Sequence, residues 1–345
     1  MATQKVLIIS TGGTISMVKD KKTGALRPAD FEEFKSFIPE LGATDIDVEL
    51  HPIVPFIDSS DVDPDMWSQL AQTVYDNYDK YDGFVILHGT DTMAYSASAL
   101  SFMLENLNKP VVFTGSQLPI GVPRSDAREN LQTAIEIAAA IDEDGDAIVP
   151  EVTIFFEDRL FRGNRTTKKN AEHFFAFKSY NYPHLAQAGV HIHYFPHVIF
   201  YCDKRQPLRL HTAIDRNIAI LKLYPGITKQ MVHAILHIKG LRAVVLESYG
   251  AGNAPSAKWL YKELKDAVDK DIIIVNKTQC MAGSVEMGRY QTSINLLNAG
   301  VISGHDITTE ALVTKLMYLL GGLGTDTPRV KELLEQSICG EMTIE

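Results

Sequence analysis

Cysteine is scarce in this chain. Only Cys202, Cys280 and Cys339 occur, far apart and odd in number. That excludes a disulfide framework, and without a C-x-x-C pair it offers no zinc ribbon or dithiol redox site. Positive charge is also short: 33 Lys and Arg face 43 Asp and Glu, for a net charge of -10. A protein that neutralises phosphates needs the opposite balance, so nucleic acid is not an expected partner. No apolar run approaches the ~20 residues of a membrane span. The first apolar run, Val6–Ile9, is too short for a secretory h-region and ends in glycines. No membrane partner and a reducing, cytoplasmic location are the expectations. The phosphate-binding motifs G-x-G-x-x-G and G-x-x-x-x-G-K-[ST] are missing, as is the G-x-S-x-G elbow. No cofactor is expected.

What the chain does contain is a recurrence of short, continuously apolar runs rich in β-branched residues. "VLIIS", "GFVILHG", "PVVFTG" and "VTIFF" lie in the first half, and "IAILKLY", "RAVVLESYG" and "DIIIVNKTQ" in the second. Continuous rather than alternating hydrophobicity predicts strands covered on both faces. Between them lie helical patterns over 63–78, 94–107, 125–141 and 256–268. The first opens with Asp63-Pro64, a cap followed by proline at the first helical position. Alternating strands and helices predict an α/β protein of two domains. Each is a mainly parallel sheet flanked by helices, the N-terminal one larger. The stretch 189–215 has two prolines and no helical period. The expected organisation is a catalytic domain over 1–192, a linker over 193–215 and a second domain over 216–345.

Ligand sites of parallel sheets form in the loops at the carboxyl ends of the strands. Three such loops are polar here: "STGGTIS" after the first strand, "HGTDTMAYS" after the second run, and "TGSQLPIGVPRSDARENL" after the third. Gly12 and Gly13 are adjacent, with the next glycine at Gly24, so the first loop does not fit a phosphate fingerprint. Thr90 and Thr92 have an ordinary explanation as helix caps. Asp91 beside Thr90 is less ordinary, because a carboxylate and a hydroxyl reach the ligand edge together.

"IISTGGTIS" and "GFVILHGTDTM" together resemble the paired signatures of the bacterial-type L-asparaginase family. "DSSD" (Asp58–Asp61), "TGSQ" (Thr114–Gln117), "RGNRTTK" (Arg162–Lys168), "SYGAGNAP" (Ser248–Pro255) and "TQCMAG" (Thr278–Gly283) follow that family's cytoplasmic type I branch in order. The resemblance implies hydrolysis of the side-chain amide of L-asparagine to aspartate and ammonia, with Thr14, Thr90, Asp91 and Lys168 as catalytic residues. It also implies Ser59, Ser60 and Asp61 as substrate-binding residues, together with Thr90 and Asp91. Either Thr14 or Thr90 could act as the nucleophile, with Thr14 favoured.

The chemistry suits these residue types. A threonine hydroxyl is a weak nucleophile until its proton is taken. A lysine serves as base when neutral, or when it relays a proton through Thr90 and Asp91; burial and a nearby carboxylate push its pKa in opposite directions. Gly12, Gly13 and Gly89 would let backbone amides approach a developing oxyanion. Asp91 is the natural ammonium partner and Asp61 a weaker one, while Ser59 and Ser60 suit the substrate carboxylate. Lys169, next to Lys168, leaves the register of the lysine open.

In one place the chain departs from its relatives. Many of them carry a tyrosine in the loop near Gly24, but "KDKKTGALRP" has none. A lid over Thr14 must then use another group. The resemblance further implies a homodimer or homotetramer, with Asn253 a candidate to reach a neighbour's site. An allosteric asparagine site would draw on Glu247–Tyr249 and Thr278–Cys280. Glu247 there would repel an effector carboxylate, so allostery is expected to be weak or absent. Rival readings are a mixed glutaminase-asparaginase, an amidase acting on an aminoacyl-tRNA amide, and a non-catalytic amino-acid sensor.

No metal site is expected. "DEDGDA" from Asp142 begins like a calcium loop but has Ala147 where glycine is needed and Thr153 where glutamate is needed. "HAILH" has zinc-protease spacing between His233 and His237, but Ala234 replaces the glutamate and no third ligand is apparent. His191 and His193 would share one strand face.

Overall fold

Residues 3–19, 26–28, 36, 45–288 and 291–344 are described by a computed structural model. By its internal contacts the chain divides into two units, Met1–Thr212 and Ala213–Glu345.

In the first unit the apolar runs become the middle of an eight-stranded sheet. Its strands are β1 (Gln4–Gly12), β2 (Ile46–Ile57), β3 (Gly83–Leu87), β4 (Val111–Thr114), β5 (Val152–Phe156), β6 (Arg159–Arg162), β7 (Ala186–Ala188) and β8 (Ile192–Tyr194). Their spatial order is β8-β7-β6-β5-β4-β3-β1-β2. β2, β1, β3, β4 and β5 run parallel, and β6, β7 and β8 add an antiparallel edge. Every residue of β3, β4 and β5 is buried, as expected of strands covered on both faces.

Helices α1 (Pro64–Asn77), α2 (Met93–Met103) and α3 (Ala127–Ala138) supply that cover. The Asp63 carboxylate caps α1 by accepting from the amides of Asp65 and Met66, and the helix buries Trp67, Leu70, Ala71 and Val74. α2 ends before the expected 107: Leu104–Glu105 leaves the helix to pair with Arg209–Leu210. Residues 193–212, read from the sequence as linker, lie in the first unit. Tyr194 pairs with Ala186, and the Arg209–Leu210 bridge holds the segment against Leu104–Glu105.

The second unit carries four parallel strands in chain order: β9 (Ile218–Lys222), β10 (Ala243–Ser248), β11 (Ile273–Thr278) and β12 (Ile302–Ser303). Helices α4 (Lys229–Leu236), α5 (Lys258–Val268), α6 (Gln291–Asn298), α7 (Thr309–Leu323) and α8 (Thr327–Leu334) accompany them. Its core joins Leu221, Val244, Leu246 and Ile274 to Val232, Leu260 and Leu264. Among the described residues no helix is long and apolar enough to cross a membrane.

Candidate active site

Strand register brings the first two polar loops together. β1 and β3 pair in parallel from Val6 opposite Gly83 to Ser10 opposite Leu87. Both strands therefore release their loops at the same edge of the sheet. The loops then touch through backbone: a Cβ placed on Gly13 would lie 2.6 Å from the Gly89 nitrogen and 2.9 Å from its Cα. Gly13 has φ 76° and ψ 169°, a conformation essentially reserved for glycine. Gly89 is constrained by closeness instead, since its Cβ would lie 2.5 Å from Ser59 Oγ.

The first loop is tied to itself and to β3. Ser16 Oγ lies 3.0 Å from Ser10 Oγ and donates to the Gly12 carbonyl at 3.1 Å, while Thr11 Oγ1 donates to the Leu87 carbonyl at 3.0 Å. Thr14 opens the short 3-10 turn Thr14–Ser16 that these bonds close. Its own hydroxyl has no hydrogen-bond partner among the described residues. The loop expected to form a lid, near Gly24, lies outside the described residues.

Ser59 belongs to a second 3-10 turn, Ser59–Asp61, and is buried. Its Oγ accepts from the Asp91 amide at 3.3 Å, and its carbonyl accepts from Thr92 Oγ1 at 2.6 Å. The Thr92 hydroxyl thus makes no cap for α2, contrary to the sequence expectation; it fastens the 89–92 loop to the serine turn. Ser60 turns away. Its amide and hydroxyl both donate to Asp58 Oδ1, at 2.8 and 2.7 Å, and these bonds lower the Asp58 pKa.

Lys168 arrives from the far side of the sheet. Arg162, at the end of β6, is buried against Glu151 with Nε 2.6 Å from Oε2. A 3-10 turn, Gly163–Arg165, follows, and Thr167–Lys168 pairs with Phe177–Lys178. Lys168 Nζ then donates to Thr90 Oγ1 and to Asp91 Oδ1, each at 2.7 Å. Lys169 instead lies over the Phe175 ring, so geometry resolves the register that the sequence left open. Thr90 Oγ1 donates in turn to Gln117 Oε1 at 3.4 Å.

These groups border a hollow of about 280 Å³ lined by Gly13, Thr14, Met17, Phe56, Ile57, Asp58, Ser59, Gly89, Thr90 and Asp91. Of the residues expected from the sequence, Thr14, Ser59, Thr90 and Asp91 line it, and Lys168 reaches it through Thr90 and Asp91. Ser60 and Asp61 are exposed and do not line it. Asp58 and Gln117 were given no role by sequence reasoning, although both sit inside quoted motifs. The Gln117 amide donates to the Asp126 carboxylate, which also accepts from the Leu118 amide and so holds the loop in place.

Elsewhere, His233 and His237 do gain the third group the sequence did not reveal. One ligand atom from each of them and one from Glu263 of α5 lie within 4.8 Å of one another. Each of the three already has a partner there. Glu263 meets His233 Nδ1 at 2.8 Å and Lys229 Nζ at 3.3 Å, and His237 Nε2 meets Lys270 Nζ at 3.2 Å.

A parallel sheet whose edge presents paired hydroxyls, with a lysine and an aspartate behind them and a hollow the size of an amino acid, is the layout of an α/β enzyme for small polar molecules. Residues 5–199 match the family model "Asparaginase, N-terminal", and residues 217–334 match "Glutaminase/Asparaginase C-terminal domain". The chain belongs to the asparaginase family. It is 43% identical over 349 residues to L-asparaginase 1 of Escherichia coli (strain K12), covering 99% of each chain. The crystal structure of L-asparaginase I from Vibrio cholerae O1 biovar eltor str. N16961 matches with TM-score 0.90 and 41% identity over 99% of each chain. The 60 kDa lysophospholipase of Homo sapiens is 44% identical over 289 residues, which are 84% of this chain and 49% of that protein.

Proposed function

We propose that this protein is an L-asparaginase that hydrolyses the side-chain amide of L-asparagine through an acyl-enzyme on Thr14. The observation that carries the residue assignment is the contact of the Gly13 and Gly89 backbones, beside the Lys168 ammonium that bonds both Thr90 and Asp91. Thr14 Oγ1 attacks the amide carbon, and the C–N bond breaks as ammonia leaves. Water then cleaves the aspartyl ester, releasing aspartate and restoring the hydroxyl.

Lys168 donates to Thr90 Oγ1, whose own proton points away from the lysine, toward Gln117 Oε1 in the free enzyme. With substrate bound, Thr90 turns that proton to the departing nitrogen and takes in exchange the proton that Thr14 gives up on attack, so ammonia leaves with one proton gained and Thr90 is restored. The oxyanion is met by backbone amides of the two glycine loops. The Thr90 amide is the best placed, because it belongs to the same trans peptide as the Gly89 carbonyl and points the opposite way. Asp91 spends Oδ1 on Lys168, and Oδ2 is left to receive the substrate ammonium. The Asp91 side chain is 65% exposed, so this ion pair contributes at most about 1 kcal/mol to stability. Its value is positional.

The hollow is polar and amino-acid sized, which supports asparagine over an acyl chain. Selectivity over glutamine rests on one methylene, worth only about 1–3 kcal/mol. The N-terminal unit, read from the sequence as 1–192, carries the chemistry; the protein works in the cytoplasm as a homodimer or homotetramer. Ammonia release with L-asparagine and L-glutamine, for the wild type and Thr14→Ala, tests the reading. Rapid release from asparagine that Thr14→Ala abolishes is expected. Binding of asparagine without ammonia would make the protein a sensor, and comparable turnover of glutamine would make it a mixed amidase.

A further inference from the structure

The residue immediately before the 89–92 loop is a buried histidine with no assigned role. His88 is 1% exposed and follows the last residue of β3. Its amide donates to the Thr114 carbonyl at 3.0 Å, and its ring meets Phe113 edge-on at 5.8 Å between centroids. The ring Nδ1 lies 2.7 Å from the Gly89 carbonyl oxygen. Nε2 lies 2.9 Å from Ser96 Oγ on α2, and Trp67 Nε1 of α1 donates to that same oxygen at 3.0 Å.

One end of this row fixes a proton. A carbonyl oxygen only accepts, so Nδ1 carries a proton and donates it to Gly89. Burial draws the His88 pKa down to about 4 and keeps the ring neutral near pH 7. Nε2 is then the acceptor nitrogen, and Ser96 Oγ donates to it while accepting from Trp67 Nε1.

We propose that His88 is a positioning residue, which locks the Gly89–Thr90 peptide through the row Trp67–Ser96–His88–Gly89 and so aims the Thr90 amide and hydroxyl at the substrate amide. The inference rests on the site reading given above and deepens it. Fixing a carbonyl fixes the amide across the same planar peptide. Three neighbours crowd the preceding peptide, His88–Gly89, and Gly89 itself: the Gly13 backbone, Ser59 and the Gly115 loop, where a Cβ on Gly115 would lie 2.5 Å from the His88 carbonyl. The ring supplies the remaining constraint, and it does so from the protein interior without touching substrate.

The test is steady-state ammonia release by His88→Phe, His88→Asn and Ser96→Ala. Active-site titration normalises each to folded enzyme, and Thr14→Ala is run alongside. His88→Phe keeps the ring but loses both nitrogens. It is expected to lower kcat about 100-fold, the scale for one displaced oxyanion donor, with KM nearly unchanged. His88→Asn restores an N–H near the position of Nδ1 and is expected to recover most of the loss. In Ser96→Ala, ¹⁵N spectra should show the imidazole shift away from the pure Nδ1–H tautomer seen in the wild type, with a smaller fall in kcat. Retention of kcat within twofold in folded His88→Phe, or a wild-type Nε2–H tautomer, overturns the proposal. Should His88→Phe fail to fold, the Ser96→Ala spectra and kcat decide it alone. Activity surviving in Thr14→Ala would instead overturn the site reading, a result separable from failure of the His88 inference.

Discussion

Replacing Gly13 by alanine probes the junction on which the site is built. The new methyl would stand 2.6 Å from the Gly89 nitrogen, where ordinary contact begins at 3.4 Å, so the two loops must part by about 0.8 Å. The neighbours are backbone atoms of Gly89 and His88 and cannot rotate aside. The left-handed backbone of Gly13 adds strain, about 1–3 kcal/mol for a residue with a side chain. Overpacking adds a comparable amount, for a sum of about 4 kcal/mol. Spread over a unit of this size, that lowers the melting temperature by roughly 8–16 °C. The catalytic effect should be larger in proportion, because a displacement near 1 Å at reacting groups costs about 100-fold in rate.

Gly145 is the control. It also has positive φ, at 83°, but no atom lies within 4 Å of its Cβ position. Gly145→Ala should cost about 1–2 kcal/mol from backbone alone and leave kcat unchanged. Ammonia release and differential scanning calorimetry on both variants check the argument. A Gly13→Ala enzyme with wild-type kcat and melting temperature would refute the close apposition of the two loops.

Further outcomes are expected. Thr90→Val and Lys168→Met should each reduce kcat by about 10²–10⁴-fold, the range for a lost proton-transfer group. Lys168→Met should shift the denaturant midpoint very little, because its partner Asp91 is exposed. Asp91→Ala should raise KM for asparagine as well as lower kcat, read from initial rates. Stability should fall as pH drops from about 6.5 to 4. In that window the unfolded chain protonates His88 while the folded protein, with its pKa near 4, does not. The loss is complete below pH 4 and amounts to at most roughly 3 kcal/mol; urea midpoints at pH 7 and 5 should show the slope, and His88→Asn should flatten it. Initial rate against asparagine concentration should be hyperbolic. The Glu247 carboxylate, bonded to Thr309 Oγ1 at 3.1 Å, would repel an effector carboxylate.

Most strands that could be read from the sequence are covered on both faces. Burial there demands unbroken apolar runs, and β1, β3, β4, β5, β10 and β11 all show them. β9 has such a run too, but only its Leu221 is buried, so the expected cover on both faces is not found there. β2 escaped because it alternates instead of running apolar: Ile46, Val48 and Leu50 pack against the core while Asp47, Glu49 and His51 are exposed. β6, β7 and β8 escaped because they are short, and pairing holds them more than hydrophobicity does. The same is true of 193–212, whose place in the first unit depends on backbone bridges that leave no compositional trace.

At the site, the two threonine loops were visible as glycine-bearing turns after buried strands. Ser59 could not be told from Ser60 by spacing alone; the structure separates them because Gly89 closes on one and Asp58 engages the other. His88 was invisible for a different reason. Its partners, Trp67 and Ser96, lie on two helices, and only packing brings them to one ring.

A crystal of the protein soaked with L-aspartate puts the whole account at risk in one experiment. The amino acid should lie in the hollow, its ammonium on Asp91, its α-carboxylate at Ser59, and its side-chain carboxylate between Thr14 Oγ1 and Thr90. Aspartate bound elsewhere, or in that hollow with its side chain turned away from both threonines, would mean that these loops meet for some other chemistry.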